Sequence, residues 1–333
     1  MINDYKTNYG KIGKQSVHDS SLFDKDYKEY RREWDENPKN YIVSNFPLNI
    51  DLEVTNACNL RCPHCARTQK NWGGDDIGYI ERVIVEKVID EINKEKGYCM
   101  KFSLRGEPLL HKELLYFLEL AKNSKLLDFY FNTNGVLLSK EFSQAIIDLQ
   151  IPRISISVGG WDDKSFSECQ VGANLKTVIT NIEGLKMLRD KAGLVLPKIR
   201  IQAVAQDDLN KHIDEFKSIW EPLADEIGLI DFREETGAKD YTGKTSSSFC
   251  CNFLWQRLVV LWDGSVYPCL FHGVKDNRSL YLGNIKDKSL KEIWNGDALN
   301  NLRILHKDGL SHCNDGCNGC SYRFSMIKNS TKD

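Results

Sequence analysis

The sequence has no apolar run near the roughly 20 residues that a membrane helix needs. Its opening segment, MINDYKTNYGKIGK, holds no apolar stretch of the kind a secretory signal requires. Net charge is only −2 over 333 residues, so the basic excess that coats nucleic acid is missing. There is no internal repeat and no low-complexity tract. These absences lead us to expect a protein of the reducing cytoplasm that engages neither membrane nor nucleic acid. Hydrophobic residues at 41% and charged residues at 28% are an ordinary globular mixture. The length suits one large α/β domain with a smaller appendage.

Eleven cysteines do not fit that ordinary picture. Disulfides are rare in a reducing compartment, where many cysteines more often signal metal binding or catalysis. Cys58, Cys62 and Cys65 crowd one short stretch, and Cys250, Cys251, Cys269, Cys313, Cys317 and Cys320 fall in the last third. Cys99 reads as a small buried hydrophobe.

Within 1–47, Tyr27, Tyr30 and Trp34 share one helix face, so a short helical arm is expected there, followed by a polar connector at Asn37-Pro38. From 48 the pattern alternates. Strands are expected at 49–54, 101–104, 128–133, 153–158, 198–204 and 226–232, with helices at 79–95, 112–123, 139–149, 174–191 and 209–221. The 79–95 helix carries its apolar face on Ile80, Val83, Ile84, Val88 and Ile89. This alternation implies a parallel sheet with right-handed crossovers and functional loops at the C-terminal strand ends. After about 236 a small polar segment reads as a linker. Two β runs then flank Asp263-Gly264, a strong hairpin signal, followed by a strand at 280–285, a helix at 289–304 and a cysteine-rich tail. The expected organisation is an arm (1–47), an open or partial barrel (48–236) and a smaller C-terminal unit (237–333).

Cys58, Cys62 and Cys65 form C-x3-C-x2-C directly after a strand. Three thiolates on one tight loop can hold an iron–sulfur cluster and leave one iron open. A zinc site would need a fourth ligand, for which His64 is nearest. The array resembles the signature of radical S-adenosylmethionine (SAM) enzymes. That resemblance implies a partial (β/α)6 barrel and a [4Fe-4S] cluster whose open iron is chelated by SAM. Reductive cleavage of SAM then yields a 5′-deoxyadenosyl radical that abstracts hydrogen from a substrate. Arg105-Gly106-Glu107-Pro108 resembles the family's Gly-Gly-Glu-Pro, which binds the SAM amine, with Arg105 in place of the first glycine. Asn132-Thr133-Asn134-Gly135 resembles the family's Thr-Asn-Gly, and Ser155 and Ser157 stand where relatives contact SAM. The resemblance thus assigns Gly106, Glu107, Pro108, Asn134 and Ser157 to the cofactor.

The hairpin and tail cysteines resemble the SPASM and shorter "twitch" extensions of that family, which hold auxiliary [4Fe-4S] clusters. Fuller versions carry more cysteines and a second cluster, so one auxiliary cluster is implied here, held by Cys251, Cys269, Cys317 and Cys320, with Cys313 as the alternative tail ligand. A structural zinc site is the competing reading of the same four thiols.

The family implies an electron donor such as flavodoxin or ferredoxin but does not fix the substrate. The compact extension resembles that of enzymes acting on sugars and aminocyclitols. Epimerisation of a sugar-like small molecule is the favoured expectation, with Cys250 as hydrogen donor facing the C-terminal mouth of the barrel while Cys251 faces the cluster. Cys169 is a second unassigned thiol. Alternatives are dehydrogenation of a secondary alcohol, modification of a peptide, or a zinc scaffold without activity.

Overall fold

In the computed structural model, the described residues are 9–12, 25–69, 76–205, 207–231, 249–269, 278–318, 320 and 322–323. The linker expected after 236 lies outside them. Among the described residues ten strands make one sheet: β1 (Tyr9–Ile12), β2 (Asn49–Leu52), β3 (Cys99–Lys101), β4 (Asp128–Thr133), β5 (Arg153–Ser157), β6 (Lys198–Ala205), β7 (Glu226–Asp231), β8 (Arg257–Val260), β9 (Ser265–Tyr267) and β10 (Gly283–Asn284). Their order is β1-β7-β6-β5-β4-β3-β2-β8-β9-β10. Strands β2 to β7 pair in parallel with their chain neighbours, and the helices Arg82–Glu95, Leu114–Lys122, Lys140–Asp148, Leu175–Lys191 and Ile213–Trp220 lie between them in the chain. The α/β partial barrel expected from the alternation is what forms.

Burial explains where these elements settle. In helix Arg82–Glu95 the stripe Ile84, Val85, Val88, Ile89 and Ile92 is buried, and Lys96 ends the helix with φ 65. The expected face is rotated slightly, since Val83 is 62% exposed and Ile80 precedes the helix. The 289–304 helix is two helices. Ser289 and Glu292 form a capping box on Leu290–Trp294, and Gly296, extended at ψ 160, caps Asp297–Lys307. The strand expected at 101–104 lies earlier, at Cys99–Lys101, and that at 280–285 shrinks to Gly283–Asn284.

The arm departs from expectation twice. Residues 9–12 add an antiparallel edge to β7, a role that rests on main-chain bonds and needs no alternating pattern. Asn37-Pro38 is no connector, because helix Lys25–Asn40 runs through it. A proline inside a helix has no N–H for the carbonyl four residues earlier. Here that carbonyl, Trp34 O, accepts from Gln256 Nε2 at 2.8 Å instead. Tyr27 and Tyr30 are buried, and Tyr30 lies 5.3 Å from the Tyr98 ring, so the aromatic face packs against the start of β3.

Strand β8 pairs in parallel with β2, Asn49 opposite Arg257 and Leu52 opposite Val260. The C-terminal unit therefore continues the barrel sheet. Asp263-Gly264 turns the chain, Gly264 at φ 87, and β9 returns antiparallel. Cys251 precedes β8 and Cys269 follows β9, so both lie where β2 begins, while Cys58 lies beyond where β2 ends.

Candidate active site

The Cys58–Cys65 loop leaves β2 and is pinned by Arg61 N donating to Val171 O at 2.9 Å. Cys65 N donates to Cys62 O at 3.1 Å, turning the chain so that the three half-buried thiols gather. Burial pushes the Cys62 thiol up to about 12, and negative charge at Cys65 and Cys58 adds to the shift. The Cys58 thiol is raised chiefly by burial. Cys62, His64, Cys65, Ser157 and Cys169 line a cavity of about 610 Å³ at the C-terminal strand ends.

Gly106 lies so close to the backbone after β2 that a Cβ there would stand 2.3 Å from Thr55 O and 2.5 Å from Ala57 O, and Glu107 N donates to that Ala57 oxygen at 2.7 Å. Only glycine permits this approach to the cluster loop. The Glu107 carboxylate is buried and accepts from Thr133 Oγ1 at 2.7 Å, Asn134 N at 2.8 Å and Leu109 N at 3.1 Å. Burial outweighs these donors and lifts its pKa from 4.5 to about 7. Pro108 opens the single turn Pro108–Leu110 that Glu107 caps. Asn134 Nδ2 donates to Asn59 Oδ1 at 2.9 Å, tying the end of β4 to the cysteine loop. Arg105 has a structural use: its guanidinium grips Glu53 with two bonds of 2.6 Å, and Glu53 is fully buried.

At the other end of the sheet the second cysteine set collects. Burial raises the Cys251 thiol well above its ordinary range, and negative charge at Cys269, Cys320 and Cys317 raises it further. Cys317 responds in the same way to burial, Cys269 and Cys320. Cys313 is exposed. His306 joins the group, its Nδ1 accepting from Cys251 N at 3.1 Å and its Nε2 lying 3.4 Å from Cys317 Sγ. Among the described residues no three His, Cys, Asp or Glu side chains converge tightly enough for one metal ion. A [4Fe-4S] cubane puts one thiolate on each iron and so spaces its ligands more widely.

The expected position of Cys250 is corrected. Because β8 runs parallel to β2, the segment before it lies at the N-terminal end of the strands and not at the C-terminal mouth. Cys250 is 3% exposed within the main apolar core, and burial lifts its pKa to about 12. Inside the barrel, towards the strand starts and the arm helix that supplies Tyr30 and Trp34, lies a polar cavity of about 470 Å³. Asn132, Ser155, Gln202, Arg153 and Arg200 line it, as does Cys99.

Residues 52–197 match the family model of the radical SAM superfamily, and residues 250–321 match that of SPASM, an iron–sulfur cluster-binding domain. The chain belongs to the radical SAM superfamily. A tungsten-containing aldehyde ferredoxin oxidoreductase cofactor-modifying protein of Pyrococcus furiosus is 23% identical over 318 residues, covering 82% of this chain and 86% of that protein. Among solved structures, BtrN in complex with AdoMet and 2-DOIA is 19% identical with a TM-score of 0.55, covering 84% of this chain and 94% of that one. The structure of anSMEcpe with bound AdoMet is 16% identical with a TM-score of 0.60, covering 85% and 91%. These two likenesses show a shared fold.

Radical SAM membership with a SPASM domain implies a SAM-binding [4Fe-4S] cluster, an auxiliary cluster and SAM. The residues present fit them. Three thiols that repel one another when ionised come together, and two of them, Cys62 and Cys65, line a cavity large enough for a cofactor. At the second set the Arg323 guanidinium is buried, Nη2 has no hydrogen-bond partner, and its positive charge acts on Cys317 and Cys320. A cluster whose thiolate ligands bring negative charge there would answer that cation. His306, Arg323 and the polar barrel interior were not found by motif, because no spacing rule marks them. The alternation of polar residues along β4 to β6 is the signal that was there to read.

No described helix is long and apolar enough to cross a membrane.

Proposed function

We propose that the protein removes a hydrogen atom from a carbinol carbon of a hydroxylated, sugar-like small molecule and oxidises that carbon to a ketone. The observation that carries this reading is the polar cavity inside the barrel, lined by Asn132, Ser155 and Gln202 and sized for a small molecule. Asn132 Oδ1 and Ser155 Oγ are buried there without hydrogen-bond partners, a state that hydroxyl groups of a ligand would relieve. Arg153 is held by Asp128 through hydrogen bonds including one of 2.8 Å, and Arg200 stands in an ion pair with Glu226 at 3.2 Å, so the walls carry charge as well as polar groups. Cys58, Cys62 and Cys65 hold the SAM-binding cluster, and Cys251, Cys269, Cys317 and Cys320 the auxiliary one. Gly106, Glu107, Pro108, Asn134 and Ser157 shape the SAM site. When bound, SAM and its cluster supply the radical, and the auxiliary cluster supplies an acceptor for the electron left behind. The alcohol carbon loses one hydrogen atom and one electron, and its hydroxyl loses one proton.

Epimerisation is the second reading. It is favoured by Cys250, a protonated thiol at the end of the barrel opposite the SAM site, from which hydrogen would return to the opposite face. We rank it second because Cys250 packs in the apolar core and does not line this cavity.

The test uses the cluster-loaded protein with SAM and a reductant, challenged with aminocyclitols, sugars and nucleotide sugars on one side and peptides on the other. Formation of 5′-deoxyadenosine should rise with a hydroxylated small molecule, and Asn132→Leu should remove that rise while leaving slow uncoupled cleavage. Stimulation by peptides alone would overturn the substrate class. In D2O a ketone supports oxidation, whereas one deuterium at an inverted carbon, lost in Cys250→Ala or Cys99→Ala, would replace it with epimerisation.

A further inference from the structure

His306 lies near the end of helix Asp297–Lys307 and is 2% exposed. One turn earlier on that helix, Arg303 fixes its placement. Arg303 Nε donates to Leu254 O at 2.9 Å and Nη1 to Trp294 O at 2.9 Å. The helix that carries the imidazole is therefore anchored at this turn. Its Nδ1 accepts from the main-chain N–H of Cys251 at 3.1 Å. A main-chain N–H only donates, so Nδ1 carries no proton and the ring's N–H is on Nε2. That N–H is 3.4 Å from Cys317 Sγ. One ring thus binds the backbone of one cysteine and the sulfur of another, the two coming from the hairpin side and the tail.

We infer that His306 donates an N–H···S hydrogen bond to Cys317 as a cluster ligand and thereby raises the reduction potential of the auxiliary cluster. The inference rests on the ligand set proposed above. Hydrogen bonds to ligating sulfur favour the more electron-rich state, because the acceptor is more negative there. The Arg323 cation, acting on Cys317 and Cys320 from a buried position, works in the same direction. Partners of this kind, one step out from the ligands, fix ligand orientation and tune the centre. His306 is a positioning residue here: it touches a ligand and not the substrate.

The experiment uses the full chain carrying Cys58→Ala, Cys62→Ala and Cys65→Ala, which should keep only the auxiliary cluster, about four irons per chain. Its potential is read by EPR-monitored redox titration. In this background His306→Phe should lower the one-electron reduction constant about tenfold, a shift of ~59 mV to more negative potential. His306→Gln, which keeps a donor near the position of Nε2, should stay close to the parent. An unchanged potential in a fully loaded His306→Phe protein overturns the inference. Should that variant fail to load, the parent labelled with 15N-histidine decides: pulsed EPR of the reduced cluster should show a weak 15N coupling, and its absence overturns the inference. A triple variant without iron would instead refute the ligand set, and the inference with it.

Discussion

Replacing Glu107 by Gln tests how the loops around the SAM site are held. One carboxylate oxygen takes bonds from Thr133 Oγ1 and Leu109 N, and the other takes the bond from Asn134 N at 2.8 Å. A glutamine has one oxygen to offer. With that oxygen on the side of the two donors, its NH2 group meets the Asn134 N–H. The loss of that bond, with a donor left unpaired in a buried place, costs roughly 1–3 kcal/mol. Asn134 also holds Asn59, so the disturbance reaches the cysteine loop. Anaerobic calorimetry on cluster-loaded protein should find SAM bound about tenfold more weakly or worse, since ~1.4 kcal/mol is a factor of ten. The pH dependence gives a second reading. The folded protein holds the Glu107 proton more tightly than the unfolded chain, its pKa lying at about 7 and not 4.5. That contribution is full below pH 4.5 and is lost as pH rises through about 7, amounting to about 3 kcal/mol. The substituted amide does not titrate, so the stability gap between wild type and Glu107→Gln should narrow from pH 5 to pH 8 in urea unfolding. Wild-type SAM affinity together with a gap independent of pH would refute the reasoning.

Arg105→Gly, which restores the family's glycine, should destabilise the protein by about 3–5 kcal/mol in urea unfolding because it strands the buried Glu53 carboxylate. Adding Glu53→Gln should recover part of the loss, and a neutral single variant would contradict this. Gly106→Ala drives a Cβ against two backbone carbonyls, so SAM binding should vanish while far-UV circular dichroism is kept. In the tail, Cys317→Ala should lose the auxiliary irons and Cys313→Ala should keep them, as iron analysis would report; the reverse pattern would move the ligand to Cys313.

The sheet was legible because each strand had to bury apolar side chains against helices, and that periodicity survives in one sequence. The three-cysteine loop was legible because local spacing alone brings its thiols together. Edge strand β1 was not, since main-chain pairing leaves no side-chain pattern. Nor was the helix through Pro38, whose missing bond is replaced by Gln256, more than two hundred residues away in the chain. The end of the barrel on which Cys250 lies depended on whether β8 pairs parallel or antiparallel with β2, a choice that residue types do not encode. His306 and Arg323 act through tertiary proximity to the tail cysteines, which is equally invisible to spacing.

The parallel pairing of β2 with β8 works as a ruler. The chain enters β8 from one cysteine set and leaves β2 towards the other, and the two strands are locked residue by residue from Asn49–Arg257 to Leu52–Val260. The gap between the two sets is thus a length of extended backbone, stiff in the direction that matters and divided in steps of about 3.3 Å. Loop insertions elsewhere leave that gap untouched, whereas adding residues within the paired strands would lengthen it. With the ligand sets proposed above, the spacing of the two clusters would stay constant while side chains along the strands change.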